Sequence, residues 1–445
     1  MAITNLTIIR RSLAARMFST VTTILTVAVA VGLMLILLSM RESGQKAFER
    51  GTGNMHLLVT KERDRLVSVL HAIFYTAAPG QYMEWREYQS ILDRYAGAGR
   101  GPGALEYAIP VQQGDTYRGF PVTATTSEFF TRFSIDQDYS ADDPAQADRR
   151  PWRFAEGRPF QGEFEVVLGS QVARRTNLRI GDIIHMTHGA STFAGDTPGA
   201  HVHDEYDWRV VGILEPTGSA HDRAIFSNIV SSWIVHAHDR LKRERTGAFT
   251  ITEQDLVDDD RKITSVLLRA RVRPGRQMST LIGPIAFELN REFTVAEPRT
   301  EVTNLFRIVG NIGDILLGMA VVVMVSSGIA ILLALYNSME QRRRQIAVLR
   351  VLGCSQRRMF FLVVSESAAI GLGGALAGLA LCVPASQVVS EVMMRRLGVV
   401  VEPSLDWPYV APVLAGTVLL ACVAGIVPAS VAYRTSVARN LRPAA

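Results

Sequence analysis

Seven of the nine histidines in this 445-residue chain fall between His185 and His238. They include the pairs His185-x-x-His188, His201-Val-His203 and His236-Ala-His238, with Asp204 and Glu205 close by. Imidazoles and carboxylates are groups that zinc takes as ligands, and His201 and His203 are the leading candidates. The stretch from Gly189 to Ala200, however, is rich in Gly, Thr and Ser and reads as an exposed loop, where histidines are ordinarily just solvated. On that balance no metal is expected. Hydrolytic chemistry has no better footing. Neither H-E-x-x-H nor G-x-S-x-G occurs, and no nucleophile–base pair stands out. The phosphate loop G-x-x-x-x-G-K-[ST] is also absent, so this chain is not expected to hydrolyse ATP by that route. No catalytic residue is assigned, and the chain is expected not to be an enzyme.

A second concentration of chemistry is the segment YNSMEQRRRQIAVLRVLGCSQRRMF, Tyr336 to Phe360, with six arginines and one acid between two apolar stretches. As a helix, Glu340–Leu352 places Ile346, Leu349 and Leu352 near one side and Arg343 and Arg350 on another. Gly353 can take the left-handed conformation that ends a helix, and Ser355 can cap the next. Such a helix could anchor to acidic lipid, serve only as a topology signal, or dock a partner through its apolar stripe. Physics alone leaves these uses open.

The elements that hold this segment are membrane spans. Hydrophobic residues make up 48% of the chain but gather in four windows, Val21–Leu38, Ile315–Leu335, Phe360–Val383 and Tyr409–Ala432. Each is near the roughly 20 residues that cross a bilayer core of about 30 Å. The short segments next to these windows at the N-terminus, in the quoted loop and at the C-terminus hold 12 arginines and one acid, a net of +11. The whole chain carries +5, so the rest carries −6. Excess basic charge marks the cytoplasmic side, which places both termini and the loop inside. Arg395 and Arg396 oppose this but are outnumbered. The positive balance therefore reflects topology, and no nucleic acid is expected as a partner. The first window reads as a retained anchor, because it is long and no convincing small-x-small cleavage site precedes Arg41. Cys354 falls in the loop and Cys382 and Cys422 in spans, so the exterior domain has no disulfide framework.

The expected division is a cytoplasmic N-terminus (1–18), a first span (19–40) and an extracytoplasmic α+β domain with a helical stalk (41–307). A second span (308–336), a cytoplasmic coupling loop (337–359) and a third span (360–390) follow. A short extracytoplasmic loop (391–408), a fourth span (409–432) and a cytoplasmic tail (433–445) complete it. Within the large domain, Glu165–Leu168, Asp182–Met186, Trp208–Leu214 and Ser265–Val272 read as strands and Ser170–Asn177 as a helix. Asp136–Arg150 reads as a loop. Val302, Leu305, Phe306, Val309 and Ile312 recur at helical spacing and lead into the second span, while Arg41–Arg50 could prolong the first. Together these would form the stalk. Gly374-x-x-x-Gly378 lets another helix approach closely. Glu366, near the start of the third span, is expected to pair with Arg357 or Arg358.

Asn337-Ser338-Met339-Glu340-x-Arg342-Arg343, Ile346, Leu349-Arg350, Leu352-Gly353 and Ser355, then Glu366 and the glycines of the third span, resemble the FtsX-like permease domain. That domain belongs to ABC systems of the macrolide-exporter (MacB) and lipoprotein-release (LolC/LolE) type. Gly425-x-x-Pro428-Ala429 and Leu441-Arg442-Pro443 are similar to the family's C-terminal end. Glu156-Gly157-Arg158-Pro159-Phe160, Val166-Val167-Leu168-Gly169, Gly181-Asp182 and Val211-Gly212-Ile213-Leu214 resemble the MacB-like extracytoplasmic core. The resemblance implies a multi-pass permease of the bacterial cytoplasmic (inner) membrane that binds a separate cytoplasmic ABC ATPase. It implies a homodimer, or a heterodimer with a related permease, and an adaptor or lipoprotein as a further periplasmic partner. Membrane lipid surrounds the spans. ATP would be bound by the partner, with no cofactor in this chain. Glu340, Arg343, Ile346, Leu349, Arg350, Leu352 and Gly353 would couple the ATPase, and its motion would reach the exterior domain for export or extraction of a substrate. The alternative is a regulator of an extracytoplasmic enzyme that uses the same motion and transports nothing.

Overall fold

The computed structural model describes residues 5–96, 103–146, 148–188, 201–242, 251–271, 278–341, 347–348, 350–351, 353–397 and 405–434. They fall into two compact units. One holds Met1–Ser43, Val309–Ser390 and Pro403–Ala445; the other holds Gly44–Ile308 and Glu391–Glu402.

Four helices are long and apolar enough to cross a membrane. The first is Met17–Thr52, 36 residues; the second is Pro298–Gln341, 44 residues. The third is Gln356–Leu397 and the fourth Trp407–Arg434. At 1.5 Å per residue the first two are about 54 and 66 Å long, well beyond a hydrocarbon core of about 30 Å. Their surplus length carries charge, such as Arg41, Glu49 and Arg50 on the first. The third helix runs on to Leu397, past the expected break at 390, because Met393, Met394 and Arg395 are good helix formers.

Inside the membrane unit, Val27, Val31 and Leu35 pack against Ile331, Leu335, Ile370, Val413 and Ala421. A second cluster joins Met339, Met359, Leu362, Val363, Ala429 and Ala432 to Ile8 and Ile9 of a short helix, Asn5–Ala14. The opposite faces expose Phe18, Ile315, Val322, Ile329 and Leu419. Rows of this kind would be untenable in water and are natural against lipid.

The other unit is a mixed α/β domain. Its main sheet has the strand order Thr294–Ala296, Leu57–Thr60, Ser265–Ala270, Leu105–Tyr117, Phe120–Thr125, Ile225–Asn228, Glu165–Leu168, Trp208–Leu214, Phe154–Gly157. Two neighbouring pairs are parallel, Ile225–Asn228 with Phe120–Thr125 and Trp208–Leu214 with Glu165–Leu168; the other pairs along this order are antiparallel. Side chains alternate between two cores, as a period of two requires. Leu57, Val59, Val166, Leu168, Val266 and Leu268 enter one, while Leu58, Val167, Phe226 and Leu267 enter the other. The strands are apolar on both faces because both are covered. Ile91, Trp233, Ile234, Ile285 and Leu289 from three helices cover the first face. An aromatic group with Phe129, Phe130, Phe133, Trp152 and Phe160 covers the second.

Of the expected strand Asp182–Met186, only Ile183–Ile184 is strand, and a separate short strand follows at Thr187–His188. Ile183–Ile184 pairs with Trp208–Leu214, and Thr187–His188 turns to pair with Leu105–Tyr117. The helix after Glu165–Leu168 ends at Asn177, whose φ of 57° is tolerable for asparagine. Of the helical stripe read from Val302 to Ile312, Val302 is buried and Phe306 packs on the aromatic core, whereas Ile312 is exposed.

Candidate functional site

Of the residues assigned to ATPase coupling, Arg343, Ile346, Leu349 and Leu352 lie outside the described residues, and Glu340 is described only as helical. Residues 347–348 and 350–351 are helical; Arg350 is half-buried. Gly353 has a φ of +94°, and its N–H donates to the Arg350 carbonyl at 3.1 Å. Ser355 Oγ then accepts the N–H of Arg358 at 3.3 Å and caps the third long helix. This stop-and-cap geometry is what the Gly and Ser types favour. Ala347 is fully buried, while Val348 and Val351, three residues apart, are exposed. The segment thus presents two apolar side chains that the sequence reading did not single out.

Glu366 is buried, yet its partner is neither Arg357 nor Arg358. Its Oε1 accepts from Ser12 Oγ at 2.7 Å and pairs with Arg16. The expected pairing overlooked Asn5–Ala14, whose packing on the third helix brings two distant donors to the carboxylate. Gly374 and Gly378 lie against the first long helix. A Cβ on Gly374 would come within 2.5 Å of Val27 Cβ, and one on Gly378 within 2.7 Å of the Ala28 carbonyl oxygen. Only a residue without a side chain permits this approach.

The last turns of the first long helix, 44–52, belong to the mixed-domain unit and end in a joint within it. Gly53, at φ 51°, turns the chain out of the helix, and a Cβ there would stand 2.7 Å from Phe133 Cζ. Asn54 is buried and its amide is fully used. Nδ2 donates to the carbonyls of Arg132 at 3.0 Å and Tyr139 at 3.1 Å; Oδ1 accepts from Tyr107 Oη at 2.8 Å and the Ser134 N–H at 3.0 Å. Beside it Arg269 pairs with Glu106 at 2.9 Å, both buried, and also donates to the Asn54 carbonyl. One turn earlier, the Gly51 carbonyl accepts from His221 Nε2 at 3.0 Å. Since Nε2 carries the proton, Nδ1 accepts from Tyr75 Oη at 2.7 Å. Burial pushes this imidazole down to about 4, against the Gly51 carbonyl, which favours charge. The adjacent Asp222 carboxylate fixes the loop by accepting the N–H groups of Thr217 and Gly218, each at 2.8 Å.

The second long helix meets the same place. Phe306 packs edge-on against Phe48 with ring centres 5.2 Å apart, and Phe48 lies 4.3 Å from Phe74. Gln137 bridges the two helices: its Nε2 donates to the Glu49 carbonyl at 3.1 Å, and its Oε1 accepts from Arg299. Within the mixed-domain unit, the helix ends 44–52 and 298–308 are therefore keyed into one polar and aromatic socket.

Two family models match the chain. That of the MacB-like periplasmic core domain covers residues 20–282, more than half its length. That of the FtsX-like permease C-terminal region covers residues 317–437, which hold most of the three C-terminal long helices. The chain belongs to this permease family. It is also similar to an uncharacterized ABC transporter permease of Methanocaldococcus jannaschii, with 23% identity over 154 residues. That match spans 34% of this chain and 38% of the relative's length.

The permease also gathers histidines that the sequence reading held apart. His188 lies directly across a strand pair from Asp115, its Nδ1 2.9 Å from Asp115 Oδ1. His236, on the helix Ile229–Leu241, brings its ring to 5.3 Å from that of His188. Asp115, His188 and His236 each offer a ligand atom, all within 4.8 Å of one another. Of the two candidates named from sequence, His203 is buried with its ring 6.4 Å from His188. His201 pairs in register with His188, and its side chain lies outside the described residues. Glu205 is engaged by Lys242 at 2.6 Å, and Asp204 is exposed. The carboxylate at the cluster is instead Asp115, some 70 residues upstream, which no local spacing could reveal. Burial acts to raise its pKa, but the hydrogen bond from His188 and the field of His236, His188 and His203 hold it below the ordinary carboxylate value.

Proposed function

We propose that this permease is the membrane subunit of an ABC transporter and transmits motion from a separate cytoplasmic ATPase to its mixed domain for export or extraction of a substrate. The observation that carries the reading is the pair of unbroken helices, Met17–Thr52 and Pro298–Gln341, that end in one socket. A helix resists bending over this length, so displacement at one end arrives at the other. Gly51, Gly53, Asn54, Gln137 and His221 fix the receiving end. The arginine balance supports a cytoplasmic position for the loop around 337–359 and an exterior position for the mixed domain. These 445 residues contain no phosphate loop, so ATP would be bound by the partner and no cofactor by this chain. The family's use of paired permeases supports a dimer of this chain, or one with a related chain.

In this reading the ATPase docks on the loop through Glu340, Arg343, Ile346, Leu349, Arg350 and Leu352. Gly353 sets the turn, and Val348 and Val351 add exposed apolar surface. The loop joins the second and third spans, so closure of the ATPase displaces the second long helix relative to the first. Val348→Asp combined with Val351→Asp leaves both side chains in water and the fold intact. Co-purification with the partner ABC ATPase should fall at least tenfold in this variant. Undiminished co-purification would place docking elsewhere.

A further inference from the structure

We propose that Asp115, His188 and His236 form a binding site for a first-row divalent transition metal ion, best suited to zinc, on the mixed domain of this permease. The site is built from three separate elements. Asp115 comes from the long strand Leu105–Tyr117, His188 from the short strand Thr187–His188, and His236 from the helix Ile229–Leu241. Such convergence is set by the tertiary fold and does not follow from histidines being near in sequence.

The donor set suits the ion. Two imidazoles and one carboxylate are nitrogen and oxygen ligands of the kind zinc takes at about 2.0–2.2 Å, with a fourth position left for water or another ligand. Tetrahedral bonds of that length hold donors roughly 3.4 Å apart. The His188–Asp115 contact of 2.9 Å is already inside that spacing, and the widest separation is no more than 4.8 Å. A bound ion would part the first pair slightly and draw in the third, movements that side-chain rotation supplies. His203 is the group placed to approach the fourth position: it is buried and its ring stands beside that of His188.

The surroundings fit the same assignment. Asp115 is buried, and a buried carboxylate needs positive charge or donors to stay ionised. The Gln112 amide nitrogen, Nε2, lies 2.8 Å from His236 Nδ1. As placed, that nitrogen donates to Nδ1; turning the amide to present its oxygen would let Gln112 accept Nδ1–H and leave the lone pair on Nε2 for a metal. His236 Nε2 and His203 Nε2 are both buried, so a ligand reaching them displaces little solvent. Cysteine thiolates are absent from the mixed domain, since Cys354, Cys382 and Cys422 all lie elsewhere in the chain, and this disfavours copper(I).

The test uses the full-length permease in detergent, stripped with a chelator and titrated calorimetrically with zinc chloride. Wild-type protein should bind one equivalent, and His236→Ala and Asp115→Asn should each weaken binding at least a hundredfold. His185→Ala, at an exposed histidine paired with Asp207, should leave it unchanged. Cobalt(II) gives a second readout: the wild type should show the intense visible bands of a tetrahedral site, and His188→Ala should lose them. Equal thermal midpoints of the metal-free proteins show that the variants are folded. No stoichiometric zinc in the wild type, or undiminished binding in folded His236→Ala, would overturn the assignment. Neither result depends on the ATPase partner or on transport.

Discussion

His221 gives the joint a calculable dependence on pH. Its ring must be neutral to accept from Tyr75 Oη while donating to the Gly51 carbonyl. Folding lowers its pKa from 6.5 to about 4. The unfolded chain therefore takes up a proton that the folded chain refuses between these values. Stability is fully present above pH 6.5 and is lost as pH falls towards 4. The fall from 6.5 to about 4, at about 1.4 kcal/mol per tenfold change in proton affinity, comes in full to about 3 kcal/mol, a large share of the 5–15 kcal/mol typical of a domain. His56, held to about 3 by burial and by the charges of Arg269 and Arg299, adds slope in the same direction. The contribution of His221 is isolated by His221→Gln, whose amide N–H replaces Nε2–H and does not titrate. Thermal unfolding of the detergent-solubilised chain would be followed between pH 7.5 and 4.5 by tryptophan fluorescence. Trp152 reports locally, since its ring centre is 5.8 Å from that of His221. The wild type should lose about 2.5 kcal/mol more than the variant over this range. Parallel curves for the two proteins would refute a buried neutral imidazole at the joint.

Asn54→Ala removes one side chain and strands four buried partners, so at about 1 kcal/mol each it should cost about 4 kcal/mol. Hydrogen exchange at residues 132–139 should accelerate before exchange in the strands at the centre of the sheet. Gly378→Leu drives a side chain against Ala28 and Val31. It should cost about 1–3 kcal/mol and lower the detergent melting point, whereas Gly416→Leu, where a Cβ meets nothing within 4 Å, should not.

The membrane helices were legible because length and hydropathy act locally: about 20 apolar residues have few other uses. The core strands Glu165–Leu168 and Trp208–Leu214 were legible for a related reason, their β-branched and apolar runs. Gly353 and Ser355 declared themselves by residue type, as a left-handed stop and a cap. The joint did not. Asn54 follows a span and resembles any polar residue at a helix end; only the fold brings Tyr107, Arg132 and Tyr139 around it. The same is true of Glu366, whose partners lie about 350 positions away, and of Asp115, which faces His188 across a strand pair. Buried polar networks are assembled by tertiary contacts, and a linear pattern carries no trace of them until the strand order is known.

In the proposed mechanism, coupling depends on relative displacement of the two long helices. It is tested most directly by the distance between nitroxide labels on cysteines placed at Gln45 and Thr303, with the native cysteines replaced. The permease would be held in nanodiscs with its ATPase, using an ATPase variant that binds but does not hydrolyse ATP. In that mechanism the distance distribution shifts when ATP is added and returns when nucleotide is removed. Superimposable distributions with and without ATP, in a complex that demonstrably binds the nucleotide, would contradict it.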